Sequence, residues 1–333
     1  MTDSSPALPA AALSLRPAYQ RAIWGGNTLA LRYGRRDAPD SCAESWEISD
    51  RAEGPAVVLA GPLAGRTLGD LCRRFGRDLL GSRSPWPDRF PLLVKLIDAR
   101  DLLSVQVHPG AHSGPDVRGE PKTEMWCLLR AEAGACLFAG LHAGTTPGAL
   151  RGALAAGRVE DLLMRHPVAE GDALFIPGGL LHAIGAGCLI YEVQQNSNTT
   201  YRLYDWGRRL PDGRPRALHV EEALAAIDWS LSPPRVQRAA PAPGEPAACA
   251  VREVTSCPWF RVRRIDLTEG VDLDPAGATF HALFVISGRV RVTTPAGEAD
   301  FAAGRSALIP ACVARYRIDA RDDPVALLLT TLA

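Results

Sequence analysis

Gly171-Asp172-Ala173-Leu174-Phe175-Ile176-Pro177 is followed five residues after its proline by His182. The pattern recurs as Gly304-Arg305-Ser306-Ala307-Leu308-Ile309-Pro310, with Arg315 at the same distance. Each copy reads as a turn at glycine, a strand that stops at proline, and a further strand. Two copies point to two related β-units, the second of which carries arginine where the first carries histidine. The same punctuation runs through the chain: it holds 31 Gly and 27 Pro, and short apolar runs recur between turn residues, as at 45–49, 92–97 and 102–107. This is the pattern of an antiparallel β-protein. Two stretches break it. Residues 68–80 and 147–165 place Leu and Ala at helical spacing, and Thr146-Pro147 offers an N-cap and a first-turn proline, so both are expected as helical insertions. Residues 232–250, SPPRVQRAAPAPGEPAACA, are rich in Pro and Ala without apolar periodicity and read as a linker between units at 1–231 and 251–333.

The 333 residues are 47% hydrophobic and 22% charged, enough for real cores. Lys plus Arg and Asp plus Glu both number 37, so no global field favours nucleic acid or an anionic membrane, and an anionic ligand needs a local basic cluster. No apolar run reaches the roughly 18 residues of a membrane span, and MTDSSPALPAAALSLRP lacks the signature of a secretory signal. A cytoplasmic protein with neither membrane nor nucleic-acid partner is expected, with its oligomeric state left open. The cysteines (42, 72, 127, 136, 188, 249, 257 and 312) form no CxxC pair and are expected as free, mostly buried thiols.

Chemistry concentrates in three short runs. In Leu103-Ser104-Val105-Gln106-Val107-His108-Pro109, Gln106 and His108 are two apart, which on a strand turns both to one face. Lys122 and Glu124 repeat that spacing in Lys122-Thr123-Glu124-Met125-Trp126, and His182 follows a Gly-Gly turn. Imidazole, carboxylate and carboxamide oxygen together suit a divalent metal such as zinc. Glu192 alternates with apolar neighbours in Tyr191-Glu192-Val193, Lys95 and Asp98 are expected as a buried pair, and His281, with no ligand companion nearby, is expected to be structural.

Beyond single residues, long blocks resemble the type I mannose-6-phosphate isomerases (phosphomannose isomerases) in their short bacterial form. They are Trp24-Gly25-Gly26, Glu44-Ser45-Trp46-Glu47-Ile48-Ser49, 91–109, 122–126, 176–184 and 194–206, covering most of the first 230 residues. The resemblance implies a mainly β fold of two cupin-like (jelly-roll) β-barrels with helical insertions, the second degenerate. It also implies one Zn²⁺ per chain and a phosphosugar substrate, with reversible conversion of mannose 6-phosphate to fructose 6-phosphate through an enediol. Carried over by motif, His108, Glu124 and His182 would be metal ligands with Gln106 a fourth, and Arg202 would belong to the active site; Lys122, on the same expected face as Glu124, is expected to contact a substrate oxygen or phosphate. The general base stays open among Glu192, Lys122, a zinc-bound hydroxide and a histidine. Ala43 and Asp50-Arg51 depart from the family pattern.

Two competing readings keep the metal and change the function. A His, His, Glu set on a β-barrel also resembles metal-dependent cupin oxygenases, although these usually present HxH where this chain has Gln106-Val107-His108. The other is a non-catalytic sugar-binding or regulatory cupin.

Overall fold

The computed structural model describes residues 7–111, 113–114, 117–240 and 249–333, so residues 241–248 of the expected linker lie outside the described residues. Among the described residues four sheets form, and their strands pair antiparallel. The first runs, in spatial order, Gln237–Arg238, Asp172–Ile176, Glu124–Ala131, Cys188–Gln195, Leu92–Ala99, Ala18–Gly26 and Cys42–Ile48. Facing it is a five-stranded sheet of Tyr201–Tyr204, Val105–Val107, His182–Ile184, Cys136–Leu141 and Leu163–Pro167. The C-terminal half supplies a second seven-stranded sheet and a four-stranded one made of Gly270–Leu273, Tyr316–Ala320, Arg289–Thr294 and Gly297–Ala302.

Apolar side chains fill the spaces between these layers. Trp126, Ile97, Leu137 and Ile184 pack between the first two sheets; Leu283, Val285, Val292 and Ile318 pack between the last two. A third core joins the halves, with Leu92, Val94, Leu96 and Tyr191 on one side and Phe280, Phe284 and Leu328 on the other. Leu92–Ala99 is therefore buried at every residue, because both of its faces are covered, which is why its apolar residues do not alternate with exposed ones.

The repeat noted in the sequence is built alike in both halves. Gly171 and Gly304 both take the left-handed backbone, with φ of +83° and +77°, where a side chain would be strained. Asp172–Ile176 then pairs with Glu124–Ala131, and Ser306–Ile309 with His281–Ser287. The sheets do not follow the sequence division, however. Leu13–Arg16 and Val57–Val58 close the edge of the C-terminal seven-stranded sheet, Leu13 opposite Leu308, because the alternating Leu13 and Leu15 bury there.

The first insertion forms helices Leu68–Phe75 and Arg77–Leu80, the former opened by a capping box between Thr67 and Asp70. The second is shorter than expected. Its helix Pro147–Ala155 ends before Gly157, whose φ of +65° suits a helix stop, and Leu163–Pro167 is an edge strand. A short helix that the sequence reading missed, Val220–Ala226, packs Ala223 and Leu224 against the back of the five-stranded sheet. No helix among the described residues is long and apolar enough to cross a membrane. All eight cysteines are free; Cys249 and Cys312 are exposed, Cys257 is half-buried and the rest are buried.

Candidate metal centre

Strand register assembles the site. His182 lies opposite Gln106, and Gln106 lies opposite Arg202 on its other side, so the three side chains form a row across the five-stranded sheet. Glu124 approaches from the facing sheet, at the first residue of its strand, opposite Ile176. His108 follows the end of Val105–Val107, and Lys122 lies two residues before Glu124, as the spacing of two predicts.

His108, Glu124 and His182 are all buried, with one donor atom from each within 4.8 Å of the others. His108 Nε2 lies 3.5 Å from one Glu124 oxygen and His182 Nε2 lies 3.4 Å from the other. Backbone carbonyls set both rings: His108 Nδ1 is 2.8 Å from the Thr199 carbonyl oxygen and His182 Nδ1 is 2.8 Å from that of Leu180. A carbonyl can only accept, so each Nδ1 carries the proton and each Nε2 turns a lone pair into the site. Burial holds both imidazoles neutral, pushing His108 well below its ordinary value and His182 down to about 4.

Glu124 accepts no hydrogen bond on either oxygen among the described residues, an expensive state for a buried carboxylate. The Lys122 ammonium lies 2.9 Å away as an ion-pair contact and also donates to His108 Nε2 at 3.0 Å. The donors thus converge on a position suited to a cation. Gln106 lies beside them, with Nε2 3.5 Å from His182 Nε2 and Oε1 3.3 Å from the Ser104 hydroxyl. Rotating the amide by half a turn exchanges these atoms and turns Oε1 into the donor set without moving carbon. Two imidazole nitrogens, a carboxylate and a carboxamide fit a divalent metal with an open position.

A second charged cluster lies on the neighbouring strands. Lys95 is 3.2 Å from Glu44 and 3.4 Å from Glu192, and it sits over the Trp46 ring. This corrects the expected Lys95–Asp98 pair. Residues three apart on a strand point to opposite faces, and Asp98 instead accepts from the backbone N–H groups of Thr28 and Leu29. Glu192 accepts from Trp126 Nε1 at 2.8 Å and leaves its other oxygen without a hydrogen bond among the described residues; burial, and then the charge of Glu124, raise its pKa. A cavity of about 120 Å³ touches Lys95, Gln106, Lys122, Glu192, Arg202 and Arg216. A wider cleft of about 670 Å³ beside Phe175 and Trp259 carries no metal-ligating cluster among the described residues. Arg216, in Arg214-Pro215-Arg216, was missed in the sequence reading, since its loop holds several arginines and no spacing separates one from another. Asp50 and Arg51, the departures from the family pattern, tie loops together through Asn196 and Glu120.

Residues 12–126 match the family described as phosphomannose isomerase type I, catalytic domain. Over 308 residues the chain is 33% identical to a mannose-6-phosphate isomerase from Streptococcus mutans, covering 92% of this chain and 95% of that one. It is 32% identical over 309 residues to mannose-6-phosphate isomerase ManA of Bacillus subtilis, covering 92% and 95%. The fold matches the crystal structure of the mannose 6-phosphate isomerase from Bacillus subtilis with a TM-score of 0.82 at 28% identity, over 96% of this chain and 99% of that one.

Proposed function

The chain belongs to the type I phosphomannose isomerase family and interconverts mannose 6-phosphate and fructose 6-phosphate; we propose that it does so with one zinc ion held by His108, Glu124 and His182, with Gln106 as fourth ligand. The observation that carries this reading is the pair of fixed imidazoles whose Nε2 atoms converge on the two unbonded oxygens of Glu124. When bound, zinc supplies Lewis acidity beside the sugar's carbonyl and neighbouring hydroxyl oxygens.

The remaining work falls to the chain's own side chains. Aldose–ketose exchange moves a proton between adjacent carbons, so a base must take it from one and return it to the other. Lys122 and Glu192 both line the cavity. Lys122 sits against two of the metal donors, placed to contact a sugar oxygen. Glu192, with a raised pKa and one oxygen free of hydrogen bonds, is suited to taking and returning a proton. Arg202, permanently cationic and half-buried beside Gln106, balances negative charge on the substrate. Trp126, Trp24 and Ile184 wall the cavity and limit water.

Purified protein assayed for fructose 6-phosphate formation from mannose 6-phosphate, before and after chelation, tests the reading. Turnover should vanish on chelation and return with zinc. A folded, zinc-loaded chain without turnover would favour the oxygenase or binding-protein alternatives.

A further inference from the structure

Two arginines meet at one carboxylate beside the cavity, and a third lies within reach of their charges. Asp205 Oδ1 accepts from Arg208 Nη2 at 2.5 Å and from Arg216 Nη1 at 3.1 Å, and the charges of Asp205, Arg208 and Arg216 all act on Arg202. Two guanidinium groups on one carboxylate, with a third near them, leave a local excess of positive charge in a protein whose formal net charge is zero.

The three are not used alike. Arg208 spends its donors on the protein: Nη2 on Asp205 Oδ1, Nε on the Asp205 carbonyl and Nη1 on the Leu102 carbonyl. It does not line the cavity, whereas Arg202 and Arg216 do. Arg202 gives Nε to the Ser104 hydroxyl and Nη1 to the Ala217 carbonyl, and Nη2 has no protein acceptor among the described residues. Among the described residues Arg216 gives only Nη1, to Asp205, and has Nε and Nη2 left over. Two cationic forks that line one polar cavity thus keep unused donors, an arrangement that recognises an anion with several oxygens.

Position then assigns the anion. His182, Gln106 and Arg202 stand in a row across three neighbouring strands, so Arg202 starts about 10 Å from His182 at the usual strand spacing. The segment carrying Arg216 lies beyond it: His219 N–H donates to the Arg202 carbonyl, and Ala217 accepts from the Arg202 side chain. The metal donors occupy one end of the row and the arginine pair the other. Extended open-chain mannose 6-phosphate spans about 9 Å from its carbonyl carbon to phosphorus, a zigzag of seven bonds of about 1.5 Å. With its carbonyl end at the metal donors, its phosphate falls at the arginines.

We propose that Arg216, presented by Asp205, forms with Arg202 the subsite for the phosphate dianion of the substrate. The proposal rests on the phosphosugar reading of the same site. Arg216 is a binding residue that acts at the end of the sugar remote from the chemistry, and Asp205 is its positioning residue.

The test compares full-length, zinc-loaded wild type with R216Q and R216K. In R216Q the KM for mannose 6-phosphate should rise about 30-fold, the scale of a lost charge-assisted hydrogen bond, with kcat nearly unchanged. Inorganic phosphate, measured as a competitive inhibitor and by calorimetry, should lose affinity to a similar extent. R216K should recover part of the loss, since lysine keeps the charge without the fork, and it carries the comparison if R216Q fails to fold. Unchanged KM and phosphate affinity in the folded variant would overturn the subsite and leave Arg216 a structural partner of Asp205, with the isomerase reading intact. If the wild type shows no turnover, that reading falls separately, and calorimetry still decides the subsite: affinity lost in the variant upholds it and equal affinity overturns it.

Discussion

A histidine offers a metal its lone pair only from the nitrogen that carries no proton, so the carbonyls of Thr199 and Leu180 decide what His108 and His182 can do. His108→Ala and His182→Ala should each lower zinc affinity by more than the roughly 10–100-fold that follows loss of an outer-shell partner, and abolish turnover with it. Metal content after dialysis, read beside activity, checks this; a variant that keeps both would remove the residue from the ligand set. Arg202→Ala should keep the metal and lose about 10²–10³-fold in kcat/KM, the scale for removing one donor aimed at substrate charge. Normal turnover in that variant would remove its role. At this scale the sequence was most legible where spacing was even: Gln106 with His108, and Lys122 with Glu124, declare a shared face on an extended chain. The partners of Lys95 were hidden, because Glu44 and Glu192 come from strands on either side of it and only the register brings them together.

Single elements show how one pattern was used twice to different ends. Ile176 pairs with Glu124 in the first half, and Ile309, at the equivalent place in the repeat, pairs with His281. His281 therefore occupies the place in the second half that the Glu124 carboxylate occupies in the first. It is spent on Tyr316, whose hydroxyl lies 2.8 Å from Nδ1, while Arg315, the counterpart of His182, faces solvent and pairs with Asp272. The repeat was readable in sequence; the loss of a donor set in its second copy followed from Arg315 alone. The edge strand Leu163–Pro167 was not readable, since it is short, partly exposed and continuous with a helical pattern. Burial, and then the charge of Arg263, push the His281 pKa down to about 4, against an ordinary value near 6.5 in the unfolded chain. Between those values the unfolded chain takes up a proton that the folded one refuses, so the contribution is whole above pH 6.5 and declines as pH falls toward 4. The loss is of the order of 3 kcal/mol. His281→Gln should flatten this part of the stability profile relative to wild type, measured by urea unfolding at pH 7 and pH 4.5. Equal slopes in the two proteins would mean that His281 is not held neutral.

Across the whole molecule, the two halves share a core, although residues 232–250 read as a linker between two units. Leu13–Arg16 and Val57–Val58 pair within the C-terminal sheet, Tyr191 reaches across to the Thr330 hydroxyl at 3.0 Å, and Leu92, Val94 and Leu96 pack with Phe280 and Phe284. Arg35 and Glu47, with only 1% and 2% of their side chains exposed, form a 2.6 Å ion pair at this junction. Arg35 also donates to the Gly304 carbonyl, and Glu47 accepts from the Ser306 hydroxyl at 2.9 Å. Removing one member of a sealed pair leaves an uncompensated charge, so Arg35→Met should cost about 3–5 kcal/mol. The double variant Arg35→Met/Glu47→Leu should recover most of that, because no charge is then stranded in the core. Urea unfolding followed by circular dichroism and by tryptophan fluorescence should give one coincident transition in all three proteins, shifted in midpoint only. Separated transitions in the wild type would mean that the halves fold independently and that the shared core contributes little; a double variant as unstable as the single one would place the cost in lost packing around Arg35 instead of in the stranded charge of Glu47.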